Sequence, residues 1–293
     1  MTQYREPIHE TVSHGKKTFP YAVYHARIPE WLLGFPLHWH DEFEIILVTY
    51  GQGLFTVNSR TSLCHTGDVI IIPPGSIHSI ERNQNDYVEY FNILFSFSLL
   101  EENPESHCFR NFLTLISEST CLKNCFLTQE NPLTAKIAPL AKDLIEHRDE
   151  KYSGYELMIK SRIYEMLHHL IKENLSDEKA SPQSEREKEN ARKLKKVLSY
   201  TKEHFAEKIS VSEAASQCSL SESRFMTFFK NQTGTSYVQY LNDYRLEAAA
   251  AQIQNSHTPV TDVALQNGFE NISYFIRSFK KKFGCTPLSY RKQ

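Results

Sequence analysis

Two stretches of sequence, SESRFMTFFKNQTG at residues 221–234 and NISYFIRSFKKKFG at residues 271–284, decide the fold of the C-terminal third of this 293-residue chain. When residues 209–240 are shifted by 50 positions, seven of the 32 places are identical. The identical pairs are Ala214 and Ala264, Ser223 and Ser273, Phe225 and Phe275, Phe229 and Phe279, Lys230 and Lys280, Gly234 and Gly284, and Tyr240 and Tyr290. A repeat of this length indicates one supersecondary unit that is used twice.

Each copy of the repeat contains the parts of a helix-turn-helix. Ser210 with Glu213 three residues later predicts a capping box at the start of one helix, and Ser221 is a candidate N-cap for the next. In the second copy, Thr258 as N-cap and Pro259 in the first turn predict the start of the corresponding helix. We therefore predict an all-α C-terminal domain with two helix-turn-helix units.

The second helix of each unit has an aromatic side and a polar side at about 100° per residue. Phe225, Phe228 and Phe229 share one side in the first unit, as Phe275 and Phe279 do in the second, and these are predicted to be core. Arginine can take guanine through two hydrogen bonds, and lysine meets phosphates, so the other side is predicted to read DNA. The predicted DNA-binding residues are Ser221, Ser223, Arg224, Thr227, Lys230, Asn271, Ser273, Arg277, Lys280 and Lys281.

The distribution of charge agrees with this interpretation. Residues 191–293 contain 15 Lys and Arg against 8 Asp and Glu, a net of +7, whereas the whole chain carries −2. A basic domain on an acidic body favours nucleic acid as a partner, because duplex DNA releases counterions when its phosphates are neutralised. An ordinary solvated face of a helical bundle is the alternative that charge alone leaves open.

Five short runs between residues 20 and 100, rich in Val, Ile, Phe and Tyr, predict strands of a β-barrel or sandwich. They are YAVYHARI (21–28), FEIILVTY (43–50), GLFTVNSR (53–60), DVIIIPP (68–74) and VEYFNILFSFSL (88–99). Apolar residues then recur every three or four places from about 133 to 173, which predicts two amphipathic helices broken near KYSGY. Residues 173–190 are mostly polar and charged, and we predict that they link a domain of residues 1–172 to one of residues 191–293.

The sequence PLHWHDEFEIILVTYGQG at residues 36–53 reads as a strand on which His38, His40, Glu42 and Glu44 share one face. Three imidazoles, with His78 downstream, and one carboxylate suit a Mn, Fe, Ni or Zn ion. The same groups with tyrosine, tryptophan and asparagine nearby would equally serve a sugar, which needs hydrogen-bond groups and a flat ring. The predicted ligand-binding residues are Tyr24, His38, Trp39, His40, Glu44, His78 and Asn92. A third reading makes the histidines satisfied polar groups of the barrel core.

The scattered spacing of the six cysteines predicts free, mostly buried thiols rather than a disulfide or zinc set. No run of about 18 apolar residues and no signal-peptide pattern is present, so we expect a cytoplasmic protein.

The stretches SLSESRFMTFFKNQTGTSYVQYLNDYRLEAA (219–249) and GFENISYFIRSFKKKFGCTPLSYRK (268–292) closely resemble the DNA-binding domain of AraC/XylS-type transcription regulators. The resemblance implies seven helices, with a long linker helix at about 236–254 that holds two recognition helices in successive major grooves. That separation is one turn of DNA, roughly 34 Å. The first recognition face departs in being mostly small, so base discrimination is expected to rest more on the second unit.

The N-terminal motifs resemble the two cupin signatures, namely His38, His40, Glu44 and Gly51, followed by Gly67, Pro73, Gly75 and His78. Gly34 and Asn83 depart from the family spacing. In cupin enzymes such residues hold a metal, whereas AraC-type sensor domains use the same barrel to hold an effector and often carry the histidines without a metal. The resemblance further implies a homodimer formed through the helices at 133–173 and an N-terminal arm over the pocket. The apolar stripes of these two helices could instead simply cover the barrel.

We therefore expect an α+β, two-domain transcription regulator rather than an enzyme. Its partners would be promoter DNA, RNA polymerase if it is an activator, and a small-molecule effector, most simply a saccharide, with no cofactor required. The alternative is a cupin metalloenzyme, an isomerase or dioxygenase, with an accessory DNA-binding tail.

Overall fold

The structure is a computed structural model that describes most of the chain. The described residues are 14–29, 34–83, 86–100, 103, 105–113, 116, 122–150, 152–174 and 182–291. The chain divides into two compact units, whose boundary lies between Lys188 and Glu189. No helix among these residues is both long and apolar enough to span a membrane.

The first unit is built on antiparallel strands. Its described strands are β1 Tyr21–Ile28, β2 Gly34–His38, β3 Phe43–Val57, β4 Arg60–His65, β5 Val69–Ile72, β6 His78–Glu81, β7 Val88–Phe95 and β8 Phe126–Leu127. The first half of β3 pairs with β7 on one side and β5 on the other; β1 then pairs with β7, and β8 pairs with β5. The second half of β3 pairs with β4 and β6, and β2 pairs with β6. The long strand β3 therefore belongs to two sheets, and the predicted β-rich N-terminal domain is confirmed.

Several predicted strand boundaries are wrong. The run 88–99 ends as a strand at Phe95, and a short 3-10 helix, Phe97–Leu99, follows it. The runs 43–50 and 53–60 form one strand, because the chain passes through Gly51 with a positive φ of 72° instead of turning there. The reversal comes later, at Asn58, which has a positive φ of 53°. The strands β4, β6 and β8 were not predicted, because each is short or carries too many polar residues to show a period of two.

The strand register places the predicted pocket residues on one face of the sheet. Tyr24 of β1 lies opposite Asn92 of β7, and Asn92 lies opposite Ile46 of β3. Residues directly opposite each other in an antiparallel pair point to the same side, and so do residues two apart along a strand. Glu44 and Val48 therefore share this face with Tyr24 and Asn92.

Two helices, α1 Thr134–Glu146 and α2 Tyr155–Asn174, follow the strands as predicted, with the break at residues 147–154. Ile137 and Leu144 of α1 and Met166 of α2 are buried in the same hydrophobic core as the strand residues. The apolar stripes of both helices are therefore used within the unit, where they cover the sheet.

The segment 173–190, predicted as a linker, is partly helical. Helix α2 runs to Asn174, and residues 182–190 form the first turns of α3, Pro182–His204, which continues into the second unit. The charged sequence of 182–190 contains good helix formers, and ion pairs such as Lys193 Nζ to Glu189 Oε1 at 3.5 Å connect successive turns.

The second unit is helical throughout its described residues. After α3 come α4 Val211–Gln217, α5 Glu222–Thr233, α6 Tyr237–Asn255, α7 Val260–Gln266, α8 Ile272–Phe283 and α9 Pro287–Tyr290. These are the seven helices that the resemblance implied, and α6 corresponds to the expected linker helix.

The helix caps follow the sequence signals with two exceptions. The capping box of Ser210 and Glu213 is present, with Glu213 N donating to Ser210 Oγ at 3.1 Å. Ser221 occupies the N-cap of α5 but makes no capping hydrogen bond through its side chain. The prediction for Thr258 is wrong, because Pro259, with a ψ of 140°, is the N-cap and α7 begins one residue later.

The described cysteines are free thiols, as predicted, and three of them are buried. They are Cys64, Cys108, Cys125, Cys218 and Cys285. Cys121 lies outside the described residues, as do residues 1–13 of the expected N-terminal arm.

Candidate functional site

The second helix of each helix-turn-helix unit is anchored by its aromatic side. Phe225 and Phe229 of α5 and Phe275 and Phe279 of α8 have no exposed surface. Both helices end at a glycine with a φ of 76°, and this left-handed conformation is one that glycine adopts without strain. The two helices are therefore fixed in the same way in both copies of the repeat.

All ten predicted DNA-binding residues are exposed in the structure. Thr227 Oγ1 donates to Ser223 O at 3.2 Å, one turn earlier in α5. Asn271 is the N-cap of α8, and its side-chain oxygen accepts a hydrogen bond from Tyr274 N at 2.9 Å. The cap fixes the orientation of the Asn271 side chain and uses one of the two lone pairs of its oxygen.

The long helix α6 is tied to both helix-turn-helix units. Arg245 Nε donates to Phe205 O at 2.7 Å, in the loop before the first unit. Lys282 of α8 lies 2.7 Å from Glu247 and 3.5 Å from Asp243. Burial alone would lower the pKa of Lys282, but these two carboxylates outweigh it and raise the pKa, so the lysine stays charged. With the contact of Phe229 with Tyr240, whose ring centres are 5.4 Å apart, α6 is in contact with both α5 and α8.

Sequence reasoning did not single out Tyr274, which lies beside the predicted DNA-binding residue Ser273. Its ring is partly exposed near the start of α8, and its hydroxyl accepts a hydrogen bond from Asn242 of α6 at 3.2 Å. A tyrosine at the position equivalent to Arg224 carries no charge signal, and this is why the pattern of basic residues did not identify it.

In the first unit, the structure brings His38, His40, Glu44 and His78 together. One ring nitrogen of each histidine lies within 4.8 Å of the others. Glu44 Oε2 lies 3.1 Å from His40 Nε2 and 3.2 Å from His78 Nε2. We call these four residues the histidine cluster.

The sequence predicted a single strand for His38, His40 and Glu44, but in the structure these residues do not lie on one strand. His38 is the last residue of β2, Glu44 is the second residue of β3, and His40 lies in the connection between them. His78 begins β6 and pairs with His38 across the sheet. The even spacing predicted the convergence correctly, although the strand it implied is interrupted.

Hydrogen bonds fix the protonation of the three imidazoles. His38 Nδ1 lies 2.8 Å from Pro36 O, His40 Nδ1 lies 3.2 Å from Glu42 O, and His78 Nδ1 lies 2.9 Å from Ser76 O. Because a carbonyl oxygen can only accept, each Nδ1 carries a hydrogen. In a neutral ring the Nε2 atom then has a lone pair and no hydrogen.

The cluster thus places the Glu44 carboxylate beside imidazole nitrogens that do not face backbone carbonyls. Burial, with the neighbouring imidazoles of His78 and His40, lowers the pKa of His38 to about 3, so this ring is neutral. Burial raises the pKa of Glu44, but its interactions with His40 and His78 outweigh burial and lower it, so this carboxylate is ionised. Glu44 Oε2 lies within 3.2 Å of the Nε2 atoms of both His40 and His78, so either hydrogens on these nitrogens or a bound cation must lie between the carboxylate and the rings. The chemistry of the residues thus fits a divalent transition metal.

The remaining predicted pocket residues lie beside the cluster or on the same sheet face. Asn92 and Trp39 are buried, and among the described residues Asn92 Oδ1 has no hydrogen-bond partner. Tyr24 connects to the cluster through His14, whose Nδ1 lies 3.1 Å from the Tyr24 hydroxyl and whose ring centre lies 6.0 Å from that of His40.

His14 was missed by sequence reasoning. It is buried and precedes the first strand, in a segment that shows no period. The only signal was its place in the segment that was expected to form an arm over the pocket.

Comparisons with known proteins match both units. The family model described as AraC-like ligand binding domain matches residues 20–167, and the one described as helix-turn-helix domain matches residues 214–293. The uncharacterized HTH-type transcriptional regulator YdeC of Bacillus subtilis is 29% identical over 286 residues, which cover 97% of this chain and 95% of that protein. An uncharacterized HTH-type transcriptional regulator of Staphylococcus aureus is 27% identical over 239 residues, and this match spans only 30% of its length.

Solved structures also match. A Listeria innocua protein is 32% identical with a TM-score of 0.32, covering 34% of this chain and 94% of that chain. ToxT from Vibrio cholerae is 14% identical with a TM-score of 0.43, covering 94% of this chain and 98% of that chain.

Proposed function

The chain belongs to the AraC-type transcription regulators, with a ligand-binding domain and a helix-turn-helix DNA-binding domain, and we propose that it activates transcription in response to a saccharide. The observation that supports DNA reading best is the duplication of one surface. Each of α5 and α8 buries a phenylalanine pair and exposes polar and basic residues on its other side. Two such helices, both in contact with α6, can enter successive major grooves.

Arg277 is the side chain best suited to direct base reading. It is exposed in the middle of α8, and no other arginine lies on the outer faces of α8. We expect Arg277→Ala to cost about 1–3 kcal/mol on the cognate site and to relax preference at one base pair. Fluorescence anisotropy against a panel of single-base variants of the site measures both effects.

Lys281→Ala is the matched control, because Lys281 is also an exposed cation of α8. If Lys281 contacts a phosphate, Lys281→Ala should weaken binding by the same factor on every DNA sequence and lower the salt dependence of the affinity. Equal losses on cognate and scrambled DNA for Arg277→Ala would show that Arg277 also meets only phosphate.

The support for a saccharide comes from the mixture of groups on the inner sheet face. The Tyr24 hydroxyl, the Asn92 amide and the Glu44 carboxylate lie on the same face as Ile46 and Val48. Small polar ligands bind where a few placed polar groups interrupt an apolar wall. The ligand must favour one arrangement of the regulator over another, since equal affinity for both would produce no switch.

A thermal-shift screen of the full-length protein against mono- and oligosaccharides tests this proposal. A saccharide at 100 times its dissociation constant should stabilise the ligand-binding domain by about 2.7 kcal/mol. Asn92→Ala should reduce that shift, because it removes a buried hydrogen-bonding group. A positive shift with another class of metabolite and none with any sugar would contradict the saccharide proposal.

We further propose that the histidine cluster holds a divalent transition metal beside the effector. His38, His40, His78 and Glu44 would be its ligands, and the metal would supply a Lewis-acid position for an effector hydroxyl or carboxylate. The same residues would suit a cupin metalloenzyme, but a DNA-reading domain on the same chain favours a sensor.

The metal proposal predicts near-stoichiometric metal in protein purified without chelator. His78→Ala should remove most of it, because one of the four ligands is lost. His65→Ala is the control, since this histidine is exposed and lies outside the cluster. Elemental analysis after equilibration with Mn, Ni or Zn measures the content, and wild-type protein without bound metal would show that protons neutralise the cluster instead.

We also propose a homodimer that contacts RNA polymerase at the promoter. The buried stripes of α1 and α2 are not free to form its interface, but Leu157 of α2 is 73% exposed and Tyr164 is partly exposed. A monomer in sedimentation at micromolar concentration would contradict the dimer.

A further inference from the structure

Two apolar side chains stand in the middle of the polar faces of α5 and α8. Met226 is 51% exposed and Ile276 is 39% exposed. They occupy equivalent positions of the repeat, 50 residues apart. Single exposed apolar residues are common on proteins, but the recurrence of one at the same position of both helices is a property of the repeat.

Helical geometry places both residues among the predicted DNA-binding residues. Positions that differ by three, four and seven share one side of a helix. Ser223, Met226, Thr227 and Lys230 form such a stripe on α5, and Ser273, Ile276, Arg277 and Lys280 form the same stripe on α8. We call these the first and second reading stripes. Met226 and Ile276 therefore lie between residues that are expected to face the DNA.

The first reading stripe presents mostly apolar groups at its centre. The Thr227 hydroxyl donates its hydrogen to Ser223 O, one turn earlier in the same helix. The second group on the Cβ atom of Thr227 is the apolar γ-methyl. The centre of the stripe, Met226 and Thr227, contains no guanidinium, ammonium or amide group that could bind a base through two hydrogen bonds. Its centre can therefore recognise an apolar group better than a hydrogen-bonding edge.

The second reading stripe combines both kinds of contact. Ile276 is followed directly by Arg277, whose guanidinium can take guanine through two hydrogen bonds. The centre of this stripe can therefore recognise an apolar group next to a guanine.

The major groove offers one apolar group on its base edges, the 5-methyl group of thymine. We propose that Met226 and Ile276 each contact a thymine methyl, one in each half of the DNA site, about one helical turn apart. The inference rests on the proposed function, since it requires both stripes to lie in major grooves. It assigns the first helix-turn-helix unit a means of discrimination that does not depend on hydrogen bonds.

The test replaces thymine by uracil, which removes the methyl group and leaves the hydrogen-bonding edge unchanged. The full-length protein first selects its preferred duplex from a randomised library. Each thymine of that duplex is then replaced singly by uracil, and the affinity is measured by fluorescence anisotropy. Loss of one buried methyl group, about 0.8 kcal/mol, corresponds to an affinity loss of about fourfold.

We expect this loss of affinity when uracil replaces one or more of the thymines in each half of the site. In the Met226→Ala variant, replacing thymine by uracil should no longer reduce the affinity in one half of the site. In the Ile276→Ala variant, the same should hold for the other half only. Leu265→Ala, which truncates an exposed apolar residue of α7 outside both stripes, should leave every penalty unchanged.

Two failures are distinguishable. A selected duplex whose uracil substitutions cost nothing, or whose penalties persist in both alanine variants, would overturn the inference and leave the proposed function standing. If no sequence is enriched from the library, the proposed function fails and the inference fails with it.

Discussion

Replacing Phe279 with alanine is expected to destabilise the DNA-binding unit by about 3–5 kcal/mol and to abolish specific DNA binding. The ring has no exposed surface and packs against Phe275, Phe283 and Tyr290, with ring centres 5.6, 4.5 and 5.4 Å away. Its loss would leave a cavity at the point where α8, α9 and the core of the second helix-turn-helix unit meet. Hydrogen exchange of the α8 amides in the full-length protein reports this local loss.

Phe229→Ala provides a matched comparison, because Phe229 occupies the same position in the first copy of the repeat and is equally buried. We expect a similar cost, localised to α5. Ile276→Ala should change stability by less than about 0.5 kcal/mol, since its side chain is largely at the surface. A small effect of Phe279→Ala would mean that α8 is not held by its aromatic side.

Gly51→Ala is expected to destabilise the ligand-binding domain by about 2–5 kcal/mol, from left-handed backbone strain and overpacking together. Gly51 has a φ of 72°, and a Cβ atom there would lie 1.8 Å from Tyr87 O. This carbonyl accepts a hydrogen bond from Gln52 N at 3.0 Å, so it cannot move freely. Either β3 or the start of β7 must shift, and denaturant unfolding of the full-length protein would show a lower midpoint for this domain.

Gly154→Ala separates the two causes. Gly154 also has a positive φ, 93°, but a Cβ atom there would meet nothing within 4 Å among the described residues. Gly154→Ala should therefore lower the free energy of unfolding by about 1–2 kcal/mol, from the left-handed backbone conformation alone. Equal costs at the two glycines would show that the contact with Tyr87 does not limit the fold.

The helical domain was predictable because its signals are local. Phe225 and Phe229 recur at helical spacing, the capping box of Ser210 and Glu213 is a short motif, and a repeat doubles each signal. The error at Thr258 has a physical cause. A threonine before a proline suggests an N-cap, but the proline itself adopted the extended conformation that a cap requires.

The ligand-binding domain was harder to predict, because its contacts join distant parts of the chain. The spacing of His38, His40 and Glu44 predicted their convergence, yet the connection between β2 and β3 has no period that would reveal it. The merging of two predicted strands at Gly51 depends on the path of β7, which approaches from some 37 residues away. Local sequence cannot report such an approach.

The histidine cluster shows the same division between what is local and what is not. The residue types were read correctly, since imidazoles and a carboxylate need partners when they are buried. The three carbonyl oxygens that fix the imidazole tautomers could not be predicted, because they depend on backbone orientation. His14, which joins Tyr24 to His40, lies in a segment without pattern, and only the structure places it there.

We propose that this chain is a sequence-specific DNA-binding regulator with two reading helices. The most direct test of this claim compares the affinity of the full-length protein for its selected duplex with its affinity for a scrambled duplex of the same composition, at physiological salt. We expect the selected duplex to bind at least about 10³-fold more tightly, with protected bases in two major grooves one helical turn apart. Equal affinity for the two duplexes would contradict the claim.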